Sequence, residues 1–87
     1  MSEEYLFHTR KKSDLFSYPY RMERGELLFC LQGGVQLYIN QQKYALAAGS
    51  VILVFPEQIT FYKDATDDLE LAVFAFSAQF RHEIFYS

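Results

Sequence analysis

Apolar and polar residues alternate with a period of two along most of this 87-residue chain, which is the pattern of half-buried β-strands. The stretch "FSYPYRM" places four large side chains on one face if it is extended: Phe16, Tyr18, Tyr20 and Met22. Pro19 interrupts it and favours an edge strand or a bulge. The continuous apolar run Leu27–Leu31 predicts a strand buried on both faces. Further strands are predicted at "VQLYI", "KYAL", "VILVF", "ITFY" and "LELAVFAF".

Turn residues separate these runs. Gly33 and Gly34 can supply positive φ at both central positions of a tight hairpin turn. Further turns are predicted at residues 40–42 and 48–50, and the acidic, polar stretch over residues 63–70 is predicted to be a loop. The chain is therefore expected to be an antiparallel sandwich or barrel of short strands.

The last residues change character. Ser77 is a plausible helix N-cap, and Phe80 and Ile84 are spaced to share one helix face. The pattern predicts the first turns of a helix over residues 77–87. We therefore divide the single predicted domain into an N-terminal arm (residues 1–12), a β-barrel (residues 13–76) and this helix.

Composition narrows the classes of function. The chain is 51% hydrophobic, with nine Phe and seven Tyr, so some apolar surface is expected to face a partner chain. A net charge of −3 argues against a free-standing nucleic-acid binder, and the basic run Arg10–Lys12 is expected to be a solvated face rather than a phosphate site. The start is too polar for a signal peptide and no apolar run is long enough for a membrane helix, which predicts a cytoplasmic protein that does not contact membranes.

The one cysteine, Cys30, lies inside an apolar run. It has no partner for an intrachain disulfide. We expect a buried, inert thiol rather than a nucleophile.

Two regions carry a resemblance to a known family. "GELLFCLQG" over residues 25–33 and "LAAGSVILVFPEQ" over residues 46–58 resemble the two signature regions of the cupin barrel. The order of landmarks from Leu15 to Phe85 is similar to the N-terminal domain of AraC-type transcription regulators. The resemblance implies a cupin-like jelly roll, or double-stranded β-barrel, that binds an effector and dimerises. It also implies that DNA is bound by a C-terminal helix-turn-helix half that this chain lacks.

The resemblance also allows the metal site of cupins to be checked. Glu26 stands where the family has its Glu. The first two His positions fall on Tyr20 and Met22, or on Pro19 and Arg21 with the longer spacing, and the third falls on Phe61; none of these is histidine. Transition metals in proteins are usually held by three or four side chains. We therefore expect no metal, no cofactor, no catalytic residue and no enzymatic activity.

The barrel could bind a small molecule instead. If the alternation holds, five residues point into it: Tyr18, Tyr20, Met22, Glu26 and Phe61. An aromatic lining with a few polar groups suits a small effector such as a sugar, although aromatic residues at this spacing are also typical of plain core. Glu26 is the most informative of the set, because a carboxylate is rarely buried alone. It could pair with Arg21 or Arg24, face solvent, or contact a ligand.

Three hypotheses follow. The first is the ligand-sensing and dimerisation domain of an AraC-type regulator, which we favour. The second is a free-standing small cupin enzyme, such as an isomerase or epimerase acting on a sugar or another small metabolite. The third is an oligomerisation module without a ligand. A homodimer is expected in the first and third, with its interface at Phe80, Ile84 and Phe85 on the C-terminal helix.

Overall fold

The computed structural model describes residues 5–77, which form two antiparallel four-stranded sheets. The strands are β1 Tyr5–Lys11, β2 Tyr20–Arg21, β3 Gly25–Gln32, β4 Gly34–Ile39, β5 Gln42–Ala47, β6 Val51–Val54, β7 Ile59–Lys63 and β8 Glu70–Phe76. A single 3₁₀ turn, Lys12–Asp14, follows β1. The predicted all-β class is thus confirmed. Among the described residues, no helix has the length and the apolar character that a membrane span requires.

Neighbouring strands in space are mostly distant in sequence. Sheet A has the order β1-β8-β3-β6, and sheet B has the order β2-β7-β4-β5. The edge strands are therefore β1 and β6 in sheet A, and β2 and β5 in sheet B. Every pairing is antiparallel. This interleaved order, with connections that pass between the sheets, is that of a jelly roll.

The core lies between the sheets and follows the alternation of the sequence. In β4, the odd-numbered residues Val35, Leu37 and Ile39 are buried while their neighbours are half-buried. Sheet A contributes the residues that face them across the core: Leu28, Cys30, Leu71 and Val73. Burial of apolar surface stabilises such a core by about 25 cal/mol per Å².

The apolar run of β3 predicts burial on both faces of the strand, but only one face is fully buried. Leu28 and Cys30 are buried, as expected, but Phe29 on the opposite face is 42% exposed. Only one face of β3 looks into the space between the sheets; the other belongs to the outer face of sheet A, beside Val51 and Ala72.

The predicted turns have different outcomes. Asn40 and Gln41 both have positive φ (48° and 73°) and connect β4 to β5 as a two-residue hairpin, which confirms that turn. The hairpin predicted at Gly33 and Gly34 is wrong, because β3 and β4 belong to different sheets and only Gly33 has positive φ. A side chain at Gly33 would also collide with Thr66 Oγ1, so this glycine lets the chain cross between sheets beneath the loop that precedes β8.

Two boundaries move. Tyr5–Lys11 lies within the predicted N-terminal arm but pairs with β8 as β1, so the barrel begins earlier than residue 13. The strand predicted at "FSYPYRM" shrinks to Tyr20–Arg21, an edge strand beside β7. Residues 15–19 are irregular, because Pro19 has no N–H to offer a ladder. The predicted helix lies outside the described residues apart from Ser77.

Candidate functional site

A buried ion pair bridges two strands of sheet A and reaches sheet B. Arg10 on β1 donates from Nη1 to Glu26 Oε1 (3.1 Å) and from Nη2 to Glu26 Oε2 (3.0 Å). Its Nη1 also donates to the Tyr62 hydroxyl on β7 (3.0 Å), and its Nη2 lies 3.2 Å from His8 Nε2. We call these four residues the polar cluster. Glu26 therefore pairs with neither Arg21 nor Arg24.

The strand pattern explains why these side chains meet. In β3, Glu26 has the inward parity of Leu28 and Cys30. Tyr62 has the same parity as buried Thr60 in β7, so it points at sheet A. Arg10 pairs in register with Leu71, whose side chain is also buried, and so projects from the edge of sheet A toward the space between the sheets.

Electrostatics fixes the protonation of two members of the cluster. Burial alone lowers the pKa of Arg10, but the hydrogen bond and charge of Glu26, together with Tyr62, outweigh it and raise that pKa above its usual range. Burial is the main cause that raises the pKa of Tyr62 to about 12, against the opposing charge of Arg10. At neutral pH the site thus holds a guanidinium and a phenol with its proton.

The donors of Arg10 are largely committed. A guanidinium has five N–H groups, and Glu26, Tyr62 and His8 face both of its terminal nitrogens. Arg10 therefore holds the carboxylate and the phenol in place rather than presenting an open anion site. His8 can accept from Arg10 only through an unprotonated Nε2, which leaves Nδ1 as a donor. The Tyr62 hydroxyl can still donate its proton.

Aromatic rings extend the site toward solvent. Phe16 packs edge-on against Tyr62 (ring centroids 5.5 Å apart) and contacts Tyr20 (5.1 Å) and Tyr18 (5.7 Å, stacked). We call Phe16, Tyr18 and Tyr20 the aromatic wall. Tyr20 pairs in register with Thr60 and so shares its inward side, although it is 40% exposed at the sheet edge.

A cavity of about 500 Å³ adjoins these groups. Among the residues that line it are Lys12, Leu15, Phe16, Phe61, Tyr62 and Lys63. Phe16 and Tyr62 thus belong both to the cavity and to the aromatic wall or the polar cluster. We call this cavity, together with the wall and the cluster, the mouth site.

The five residues predicted to line the barrel do not all lie together. Glu26 is buried in the polar cluster, and Tyr18 and Tyr20 stand in the aromatic wall. Met22 is a core residue, and its Sδ accepts a hydrogen bond from Thr60 Oγ1 (3.3 Å). Phe61 lines the cavity, but its predicted inward orientation is wrong, because its ring stacks on Tyr38 (4.5 Å) on the outer face of sheet B.

Sequence reasoning missed Arg10, Phe16 as a contact of Tyr62, and Tyr62 itself. The basic run Arg10–Lys12 was predicted to be solvated. Lys11 and Lys12 are exposed, as predicted, but Arg10 is half-buried. The strand parity of Tyr62 relative to Thr60 was the signal for Tyr62. For Arg10 the signal was weaker: its own buried partner, Glu26, required a cation from somewhere in the chain.

Metal and thiol chemistry find little support in the described range. No group of three His, Cys, Asp or Glu side chains within residues 5–77 is placed to hold a metal ion, and both oxygens of Glu26 accept from Arg10. The expected absence of a metal remains a prediction. Cys30 is buried, and desolvation raises the pKa of its thiol, in agreement with the predicted inert residue. The predicted interface at Phe80, Ile84 and Phe85 lies outside the described residues.

The sequence model of the family described as "AraC-like ligand binding domain" matches residues 3–86. No curated protein matches the chain.

Solved cupin structures share the fold at low sequence identity. The cupin domain of Schizosaccharomyces pombe Cnp3 aligns with a TM-score of 0.75 at 9% identity, covering 97% of this chain and 64% of that one. KdgF from Halomonas sp. aligns with a TM-score of 0.61 at 12% identity, covering 85% of this chain and 70% of its own. An Fe(II) form of HppE aligns with a TM-score of 0.63 at 16% identity, covering 83% of this chain and 41% of its own. The likeness confirms the cupin-like jelly roll, and this chain spans less than two thirds of the Cnp3 domain.

Proposed function

Because this chain belongs to the family of AraC-like ligand-binding domains, we propose that it is the effector-sensing domain of an AraC-type transcription regulator. The effector binds at the mouth site. In this proposal DNA is bound by a helix-turn-helix half that lies outside this chain, and the sensing domain forms a homodimer. The domain acts in the cytoplasm and carries out no reaction of its own.

One observation supports the binding role above the others. The cavity shares Phe16 and Tyr62 with the aromatic wall and the polar cluster, so an apolar surface and fixed polar groups converge on one space. Its volume falls within the roughly 300–1,000 Å³ of small-molecule sites. A filled barrel that served only for oligomerisation would not need a polar cluster at the margin of its core.

The chemistry of the mouth site suits a small polyhydroxy molecule such as a sugar. The rings of Phe16 and Tyr20 can stack on the apolar face of a sugar, and the Tyr62 hydroxyl can donate to one of its oxygens. Lys12 and Lys63 at the margin of the cavity add donors. Glu26 and Arg10 are committed to each other and so are not free to act as a catalytic acid and base, which favours sensing over an isomerase or epimerase.

Thermal unfolding of the 87-residue chain with a panel of neutral aldoses and ketoses at millimolar concentration tests the proposal. A sugar present at about 100 times its Kd stabilises the folded state by roughly 2.7 kcal/mol, which raises the unfolding temperature by several degrees. If no sugar in the panel raises it, the proposed ligand class is wrong.

Two variants locate the binding. Phe16→Ala and Tyr62→Phe should each lower the affinity for the stabilising sugar, by loss of stacking and of one hydrogen bond. Phe29→Ala is the matched control, because Phe29 is exposed on the outer face of sheet A and is not among the residues that line the cavity. If Phe29→Ala abolishes the effect and Phe16→Ala retains it, the sugar binds on the outer face of sheet A and not at the mouth site.

A further inference from the structure

The edge of sheet B formed by β5 is open over a stretch of backbone. β5 pairs with β4 on one side, and none of the strands described within residues 5–77 pairs on the other. Five of its six residues are exposed. It contains no proline and no bulge, and its only charge is Lys43. Such an edge is a template for another strand unless something blocks it.

The hydrogen bonds of Ala47 show which backbone groups point outward. Ala47 N–H donates to Ser50 Oγ (3.2 Å), and Ala47 C=O accepts from Ser50 N–H (2.8 Å), so both groups point away from β4. Backbone direction alternates along a strand. The N–H and C=O groups of Lys43 and Ala45 therefore point to the same open side as those of Ala47.

The outward groups of Lys43 and Ala45 can meet those of the same two residues in a second copy. Three two-fold antiparallel registers allow this, and they differ in their central residue. Centring on Lys43 places two lysines opposite each other, which is unfavourable. Centring on Ala45 places Lys43 opposite Ala47, whose backbone groups are already used by Ser50. Centring on Tyr44 pairs Lys43 of each copy with Ala45 of the other, so that all the outward groups of both residues are used.

We propose that two copies of this chain associate by antiparallel pairing of β5 with β5, centred on Tyr44, to form a continuous eight-stranded sheet. The proposal rests on the dimerisation proposed above and places the interface on this edge rather than on the C-terminal residues. Four backbone hydrogen bonds link Lys43 and Ala45 across the two-fold axis. The two Tyr44 side chains, each 39% exposed in one chain, pack against each other at the centre.

The other edges fit a second copy less well. β2 has two residues. In β6, one residue of four is exposed. β1 ends in the cations Arg10 and Lys11, the first of which is held in the polar cluster, and the N–H of the second donates to Asp14. β1 has an exposed run as long as that of β5, residues 6–9, but it continues into two cations, whereas the only charge of β5 is Lys43.

Disulfide trapping tests the register. In the Tyr44-centred pairing the two Tyr44 Cα atoms are about 4.5 Å apart, within the range that a disulfide spans. Tyr44→Cys should convert the chain to a covalent dimer under mild oxidation. Gln42→Cys is the matched control, since position 42 of one copy lies far from position 42 of the other. The native Cys30 is buried. Trapping through Gln42→Cys and not Tyr44→Cys would overturn the register.

Proline substitution tests the edge without a cysteine. Ala45→Pro removes an N–H that points away from β4, so the β4–β5 hairpin is retained while two of the four intermolecular bonds are lost. We expect at least a tenfold weaker dimer by sedimentation equilibrium. Val51→Pro, at the start of β6, is the control and should leave the dimer intact.

The outcomes are distinct. A wild-type chain that stays a monomer at about a hundred micromolar overturns dimerisation itself. At this concentration a dimer with a free energy of association of only ~6 kcal/mol would already be populated. A wild-type dimer that Ala45→Pro leaves unchanged overturns only the β5 interface. Sensing at the mouth site is tested separately by the sugar panel.

Discussion

Two ion pairs that begin at neighbouring cations differ in almost every physical respect. Arg10 pairs with Glu26 through side chains that are 14% and 11% exposed, and Lys12 pairs with Asp67 through side chains that are 52% and 97% exposed. Arg10 has two further partners, Tyr62 and His8, whereas Lys12 donates to a single carboxylate oxygen.

The difference arises from local backbone structure and not from the residues' charge. Arg10 lies on β1, where strand alternation turns its side chain toward the interior. Lys12 opens the 3₁₀ turn, where the chain leaves the sheet. A buried pair whose terminal polar atoms are engaged becomes costly to break, while an exposed pair is weakened by solvent and by the entropy of two flexible side chains. Proximity in sequence therefore says little about energetic importance here.

The largest expected effect is the loss of Glu26. Glu26→Ala leaves the Arg10 charge buried without its carboxylate, which should lower the free energy of unfolding by about 3–5 kcal/mol. Urea denaturation monitored by tyrosine fluorescence measures it. Glu26→Gln retains one acceptor oxygen and should lose less. A loss below about 1 kcal/mol in Glu26→Ala, the size of an ordinary surface effect, would contradict the importance of the buried pair.

An intermediate effect is expected at high pH. The pKa of Tyr62 is raised to about 12 in the folded chain, mainly by burial, against a value near 10 when unfolded. Between these values the unfolded chain binds fewer protons than the folded one. The contribution of Tyr62 to the free energy of unfolding is therefore complete below about pH 10. Roughly 2 kcal/mol of that free energy is lost as the pH rises to about 12.

The comparison with Tyr62→Phe isolates that effect from the other tyrosines of the chain. The variant lacks the titrating group, so its stability should fall less steeply over the same pH range. Chemical denaturation of both proteins at several pH values measures the difference. Parallel curves would show that Tyr62 is not responsible.

The smallest effect is expected at the exposed pair. The hydrogen bond and charge of Lys12 lower the pKa of Asp67. Any contribution of this ion pair to the free energy of unfolding is therefore present above the usual pKa of an aspartate and is lost as the pH falls below it. Because both side chains face solvent, Lys12→Ala should leave the urea midpoint at pH 7 within error of the wild type. Lys11→Ala, which removes a neighbouring exposed lysine outside this ion pair, is the control. A large destabilisation by Lys12→Ala alone would show that this exposed ion pair contributes to stability as the buried pair does.

The sequence predicted the features that depend on local pattern. The alternation predicted a strand at "VQLYI", which is β4, and the turn predicted at residues 40–42 contains the hairpin at Asn40 and Gln41. Cys30 was correctly assigned to the core. In each of these cases the physical cause lies within a few neighbouring residues, so a reading of the pattern could find it.

The mouth site depends on causes that a local pattern does not contain. In "ITFY" both faces of the strand carry large side chains, so the sequence could not decide whether Phe61 or Tyr62 points inward. The partner of Glu26 comes from a strand on the far side of β8, and its charge looked no different from that of Lys12. The crossing at Gly33 required knowledge of the loop that packs over it.

The central position of β8 has a consequence for synthesis. β8 pairs with β1 on one side and β3 on the other, so that Tyr5 lies opposite Phe76. Sheet A therefore stays incomplete until nearly all of the described chain has left the ribosome, and loop closure over such a separation slows folding. Until then the apolar strands β3 and β6 have no finished sheet to join, and this interval is when a nascent chain would most need a chaperone to prevent aggregation.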